Sequence, residues 1–436
     1  MSAFKRRLIK NITTMKPTLS ISKRSVLLSF VLCFATMLLM AQNAFTEYKG
    51  VVLDANSQKP LESVNLTVKN TNISTVTNTE GEFVLKVPVA TKEGVVVFSY
   101  LGYQTREVNL EGFPSEQSRI MLSQTVTELA PVKVTGFSSA EALVRMVFQN
   151  KRKNNLDRPV LMTAFYRETI KRRNRNVSLT EAVVDLYKRS YLNRSRDIMK
   201  LNKARKVTDY RRLDTVAFKL QGGPFSTLYL DIMKYPEYIF TDETIPEYTY
   251  TFGRPTTVND KLVYVVNFDK KHGDDFPGYS GKLYIDEKSL ALTSAVYALD
   301  IRNKRKASSM LVRKKPRDVL VIPTNVAYKV NYKEKDGKWY YSYSKADLTF
   351  KVNKKHKLFN TTYSVSSEMA ITDWEMTSPD KNKGLLKDRL RPSVIIADAI
   401  SGFSDPDFWG PYNLIEPDKS IESAIAKIQR KLRREN

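Results

Sequence analysis

Ala327-Tyr328-Lys329-Val330-Asn331-Tyr332-Lys333-Glu334-Lys335-Asp336-Gly337-Lys338-Trp339-Tyr340-Tyr341-Ser342-Tyr343 reads as two strands folded back on each other. Asp336-Gly337 supplies the turn, because a two-residue hairpin of type I′ needs positive φ at both central positions. The aromatic run 339–343 alternates in part and suits a half-buried strand. The same pattern spreads outward. Residues 248–252, 262–268, 281–285, 292–299, 319–323, 347–352 and 361–366 are further strand-like runs. From 160 to 375 the chain therefore reads as mostly antiparallel β-structure with short helices.

Composition agrees. Of 436 residues, 42% are hydrophobic, with 23 Tyr and 20 Phe, which is enough to build sizeable cores. Cys33 is the one cysteine, so no disulfide framework and no zinc–thiolate site can form. The N-terminus reads as an export leader. Lys5, Arg6, Arg7, Lys10, Lys16, Lys23 and Arg24 precede an apolar run from 26 to 40, and Ala41 and Ala44 suit a cleavage site. The run is short for a membrane span of about 20 residues.

Charge is uneven. The chain carries a net +25, yet residues 45–123 hold seven Lys and Arg against nine Asp and Glu. Residues 145–215 hold twenty against seven. A field of that sign attracts polyanions. With export, the candidates are anionic lipid, lipopolysaccharide phosphates or an acidic envelope protein rather than nucleic acid.

Residues 48–123 alternate short strands with breaks at Asn56-Ser57, Lys59-Pro60, 70–72 and Thr79-Glu80-Gly81. Gly50-Val51-Val52-Leu53-Asp54, Lys59-Pro60-Leu61, Val64-Asn65-Leu66, Thr77-Asn78-Thr79-Glu80-Gly81-Glu82-Phe83 and Ser99-Tyr100-Leu101-Gly102-Tyr103 follow in order. This series resembles the carboxypeptidase regulatory-like domain, and the resemblance implies a transthyretin-like seven-stranded β-sandwich. Gly81 should end a tight hairpin with φ above zero. Residues 125–136 resemble the segment that joins this domain to the plug of TonB-dependent receptors. The remaining chain, about 300 residues, cannot supply both plug and barrel.

Farther on, Phe165-Tyr166-Arg167-Glu168-Thr169, Ile371-Thr372-Asp373-Trp374-Glu375 and the run Asp405-Pro406-Asp407-Phe408-Trp409-Gly410-Pro411-Tyr412-Asn413-Leu414-Ile415-Glu416-Pro417 resemble a Bacteroidetes-type Gram-negative cell-envelope family with the same N-terminal domain. No catalytic residue carries over from it. The hairpin 279–297 is similar in pattern to those of lipoprotein-carrier half-barrels. The expected fold is thus mainly β: a seven-stranded sandwich, then a larger antiparallel, half-barrel-like sheet with a few helices. The expected organisation is a signal peptide or retained anchor at 1–44, the sandwich at 46–123, a linker strand at 124–137 and a β-rich domain at 138–436. Helices are expected from Ser138, in a capping box with Glu141, and from about Ser420 to Arg434.

The residues offer little chemistry. A zinc peptidase needs two His and a Glu at ligand spacing. His272 and His356 lie in Lys-Lys-His-Gly-Asp-Asp and Lys-Lys-His-Lys instead, with no nucleophile elbow elsewhere. Asp269, Asp274 and Asp275 do not match a calcium loop. No cofactor, metal or catalytic group is expected. The partner- or ligand-binding candidates are Tyr166, Arg167, Glu168, Asp373, Trp374, Glu375 and Trp409. Glu168, Asp373 and Glu375 would serve a carboxylate-dependent hydrolase. Against that, Arg167 or Glu168 would satisfy a buried ion pair, and the aromatics 403–412 would plug the sheet. The reading is an exported, non-catalytic binding or assembly protein of the periplasm or outer membrane. An envelope hydrolase and a purely structural protein stand as alternatives.

Overall fold

Turn residues at short intervals cut the N-terminal region into seven strands. They are β1 (Phe45–Asp54), β2 (Asn65–Val68), β3 (Ser74–Val76), β4 (Glu82–Pro88), β5 (Val95–Ser99), β6 (Arg106–Asn109) and β7 (Ser118–Leu122). In the computed structural model the described residues are 45–91, 94–114, 118–125, 137–208, 223–271, 277–312, 317–355, 360–376, 388–392, 408–419, 421–423, 426 and 430. The strands form two sheets, ordered β4-β1-β7 and β3-β2-β5-β6, with β1 and β7 parallel. Their inward residues, among them Val52, Leu66, Phe83, Leu85, Val96, Phe98 and Ile120, make one apolar core. Gly81 has φ of 74°, as its turn requires.

The larger sheet has eleven strands: β8 (Val160–Arg172), β9 (Arg175–Lys188), β10 (Ile198–Thr208), β11 (Tyr248–Phe252), β12 (Thr256–Val258), β13 (Lys261–Lys270), β14 (Tyr279–Asp286), β15 (Leu292–Leu299), β16 (Val319–Lys335), β17 (Lys338–Lys354) and β18 (Thr361–Met376). Its order is β10-β9-β8-β18-β17-β16-β15-β14-β13-β11, with β12 also on β13. Every pair is antiparallel, and the sheet does not close into a barrel. Asp336 and Gly337 have φ of 52° and 73° and join β16 to β17 as expected.

The sheet has two unlike faces. On the helix face lie α1 (Ala140–Gln149), α2 (Lys151–Asn154), α3 (Pro224–Leu228) and the segment 229–247. They pack Leu143, Val144, Phe225, Ile232 and Phe240 onto Met162, Tyr166, Val184, Tyr341 and Met369 as the main core. The N-cap of α1 is Ser139, whose Oγ accepts from Ala142 N–H, one residue later than the sequence suggests. Glu141 therefore falls one position short of a capping box and pairs with Arg145 instead. The short helix α4 (Lys304–Leu311) lies beside the start of β16, where β15 has ended, and Ser308 Oγ donates to Val321 O.

The opposite face carries the sandwich. Ser74 Oγ donates to Ile371 O and Ser63 Oγ to Tyr343 OH. The segment 408–418 is wedged between them: Trp409, Leu414 and Ile415 join Val76, Phe165, Val183 and Tyr343 in a separate apolar cluster. Asn413 bonds both the N–H and C=O of Lys86, at 2.7 and 2.9 Å, and so covers the free edge of β4. Residues 45–436 form one compact unit. The leader with Cys33, Ala41 and Ala44, the linker strand 132–136, His272, Asp274, Asp275, His356, Phe403 and most of the C-terminal helix lie outside the described residues.

Candidate binding sites

Strand register places charges in a row across the sandwich face. Arg205 on β10 faces Glu181 on β9, which faces Arg167 on β8, then Glu368 on β18 and Lys345 on β17. Arg205 Nε and Arg167 Nη2 each lie 2.6 Å from a different oxygen of Glu181. Arg167 Nη1 is 3.6 Å from Glu368, whose other oxygen accepts from Tyr343 OH at 3.0 Å. Lys345 pairs with Glu62 of the sandwich. The remaining Arg167 donors reach the carbonyls of Ile415 and Glu416, and so hold the wedge segment.

Burial pushes the Glu181 carboxyl up, but the two guanidiniums outweigh it and keep it below its ordinary value. Glu368 is raised by burial, only partly offset by Arg167 and Lys345. Glu416, raised by burial, reaches about 7.

The seven candidate residues separate into three places. Arg167 and Trp409 meet in the row: Trp409 lies edge-on to Phe165 at 5.7 Å, and the Arg205 guanidinium stands 4.9 Å from its ring. Tyr166 and Glu168 point to the helix face, where Tyr166 OH donates to Glu168 at 3.0 Å and burial raises that carboxyl to about 7. Asp373, Trp374 and Glu375 lie at the far end of β18. Trp374 is buried against Tyr340 and receives Lys335 over its ring, while Asp373 and Glu375 are exposed. Asp373 is opposite Thr163, five residues from Glu168, or about 16 Å along a strand. Glycosidase carboxylates face each other at ~5–9 Å, so this pair does not form such a centre.

Two further clusters escape a linear reading. On the helix face Lys188 has no solvent exposure and lies 2.6 Å from Asp197 and 2.7 Å from Asp231. Tyr191 and Tyr332 donate to Asp231, each at 2.9 Å, and Tyr235 to Asp197 at 2.8 Å. Burial lowers the Lys188 ammonium, yet the two aspartates raise it further than burial lowers it. Every oxygen of both carboxylates is hydrogen-bonded, which ties 189–197 and 231–235 to the sheet.

The second cluster is at one end of the sheet. The β8–β9 turn, the end of β17 and the start of β16 are neighbours by register, and α4 lies against β16. Segments 171–175, 300–306, 317–318 and 351–355 bring together twelve Lys and Arg against two Asp. Arg173, Arg175, Lys304, Arg305, Arg317, Lys351 and Lys355 are exposed there, beside Leu320 at 53% and Met310 at 38% exposure.

Two cavities open on the sandwich face. One, of about 60 Å³, lies between the sandwich and β15–β17; the other, of about 270 Å³, lies over β8, β18 and β17 beside Thr79 and Asp418. Among the described residues no group of His, Cys, Asp and Glu could hold a metal ion, and no helix is long and apolar enough to cross a membrane.

Solved structures offer slight similarities. A putative outer membrane lipoprotein-sorting protein domain from Vibrio parahaemolyticus is 10% identical, with a TM-score of 0.26, over 57% of this chain and 98% of that one. A DUF1329 family protein from Desulfovibrio piger is 10% identical, with a TM-score of 0.24, over 56% and 97%. A LolA superfamily protein from Nitrosomonas europaea is 7% identical, with a TM-score of 0.18, over 56% and 97%. No curated protein sequence matches the chain. The family comparison is specific to the N-terminal region: residues 48–134 match the CarboxypepD_reg-like domain, and the chain carries a domain of that family there.

Proposed function

We propose that the chain is an exported, non-catalytic envelope protein that binds an anionic lipid surface through the cationic end of its large sheet. The observation that carries this reading is the convergence of twelve cations from four separate segments, with two exposed apolar side chains beside them, on one end of the fold. Each Lys or Arg near an anionic leaflet contributes about 1 kcal/mol, and apolar side chains among them can enter the headgroup layer. Lipid headgroups and lipopolysaccharide share the phosphates that such a surface recognises.

Flotation of purified residues 45–436 with phosphatidylglycerol vesicles tests the reading. Binding is expected to these and not to phosphatidylcholine vesicles, and to vanish near 1 M salt, where the screening length is about 3 Å. Reversing Arg173, Arg175 and Lys355 to Glu should weaken binding by at least tenfold while leaving the circular dichroism spectrum unchanged. Equal binding to neutral vesicles, or an unaffected triple variant, would remove the proposal.

A further inference from the structure

The charge row on the sandwich face alternates for five strands and then stops alternating. Arg205, Glu181, Arg167, Glu368 and Lys345 follow in sign. The next position, on β16, is Lys329, directly opposite Lys345. Like charges so placed repel. Glu62 bonds Lys345, whereas the Lys329 ammonium lies 5.5 Å from the Tyr100 ring.

Lys333, four residues on and therefore on the same face, donates to Thr67 Oγ1 at 3.2 Å. Both lysines line the 60 Å³ cavity between sandwich and sheet. Among the described residues that cavity is lined by no carboxylate; hydroxyls and amides of Ser63, Asn65, Ser99 and Asn331 surround it instead. A cavity of that size has room for about four waters or one small oxyanion.

We propose that this cavity binds a small oxyanion of the phosphate or carboxylate class, held between Lys329 and Lys333, and that the bound anion ties the sandwich to the large sheet. The site is separate from the cationic sheet end and does not depend on it. Burial draws the Lys333 ammonium down to about 7 and that of Lys329 to about 8, the latter against the pull of Glu62 and with Lys345 adding to the fall. A bound anion supplies a counter-charge to the half-buried Lys333, on which no carboxylate acts, and adds to that of Glu62 on Lys329.

The test is thermal unfolding of the purified protein with rising inorganic phosphate, and separately acetate, at constant ionic strength and pH 6.5. A ligand bound by the native state alone raises the Tm with the logarithm of its concentration. The wild type should show that rise with at least one of the two anions, and which anion acts identifies the class. Lys333→Met and Lys329→Met should each abolish it. Acylation of Lys333 by acetic anhydride, followed by mass spectrometry, should slow at least threefold in the effective anion, a readout that needs no variant. The triple Glu variant of the sheet end should respond as the wild type does. A flat Tm in both anions overturns the proposal. So does a response that persists in Lys333→Met, or one that disappears only in the sheet-end variant.

Discussion

The two faces of the large sheet handle charge in opposite ways. On the helix face Lys188, Asp197 and Asp231 are sealed among Tyr191, Tyr235 and Tyr332, and every carboxylate oxygen has a partner. On the sandwich face the charges run in an open row from Arg205 to Lys329, and the second β-region supplies some of the partners, as Glu62 does for Lys345. A closed web fixes one arrangement of the chain. An open row lets a separately built domain, or a ligand, complete it.

Four substitutions would break or sharpen that contrast. The largest effect is expected for Lys188→Met. It leaves two aspartates buried without their cation and should cost about 3–5 kcal/mol, seen as a fall in the urea midpoint. Arg167→Met should cost less, near 3 kcal/mol, because Arg205 still neutralises Glu181. Its signature should be faster amide exchange across 413–416, where the carbonyls of Ile415 and Glu416 lose their donor.

Glu168→Gln tests the helix face in the other direction. The folded pKa of about 7 stands above the ordinary 4.5, so the folded state holds a proton that the unfolded chain has released between those values. Stability is then lost as pH rises from about 4.5 to about 7, and the full penalty of up to ~3 kcal/mol applies above that. The Gln variant should be more stable than the wild type at pH 8 and equal to it at pH 4, by denaturant titration at both. The smallest effect belongs to Asn413→Ala, which removes two hydrogen bonds to Lys86 and should cost about 1–2 kcal/mol. If Lys188→Met cost no more than Asn413→Ala, the distinction between a sealed web and an open row would fail.

Much of the fold is legible along the chain because strand alternation and turn chemistry are local. Asp336-Gly337 marks its hairpin outright, and the ordered pieces from Gly50 to Tyr103 mark the sandwich. The hairpin of β8 and β9 is harder to find. Its turn is Arg173-Asn174, with φ of 47° and 62°, and an arginine at positive φ gives no turn signal. The expected strands are also too short: β16 and β17 each run for seventeen residues because they pair with each other along their whole length, and Pro323 is accommodated at a bulge where β15 has ended.

The site was legible only in part. An ion pair at Arg167 follows from a charged residue within an apolar run, and Trp409 does cover the sheet. The row itself is a product of cross-strand register between residues up to two hundred positions apart, and nothing in the spacing of Arg205, Glu181 and Glu368 announces it. Lys188 likewise sits in a stretch rich in exposed cations, and only the return of the chain at Asp231 shows that it is buried.

The pairing of β18 with β8 has a consequence for how the chain is made. It joins residues separated by roughly two hundred positions, so it cannot form until almost the whole polypeptide has been delivered. The sandwich, complete by residue 122, can take shape early, while β8, β9 and β10 wait for a neighbour that arrives last. The sheet is therefore built as two sequence-local halves, β8–β10 and β11–β17, and β18 is the strand that joins them.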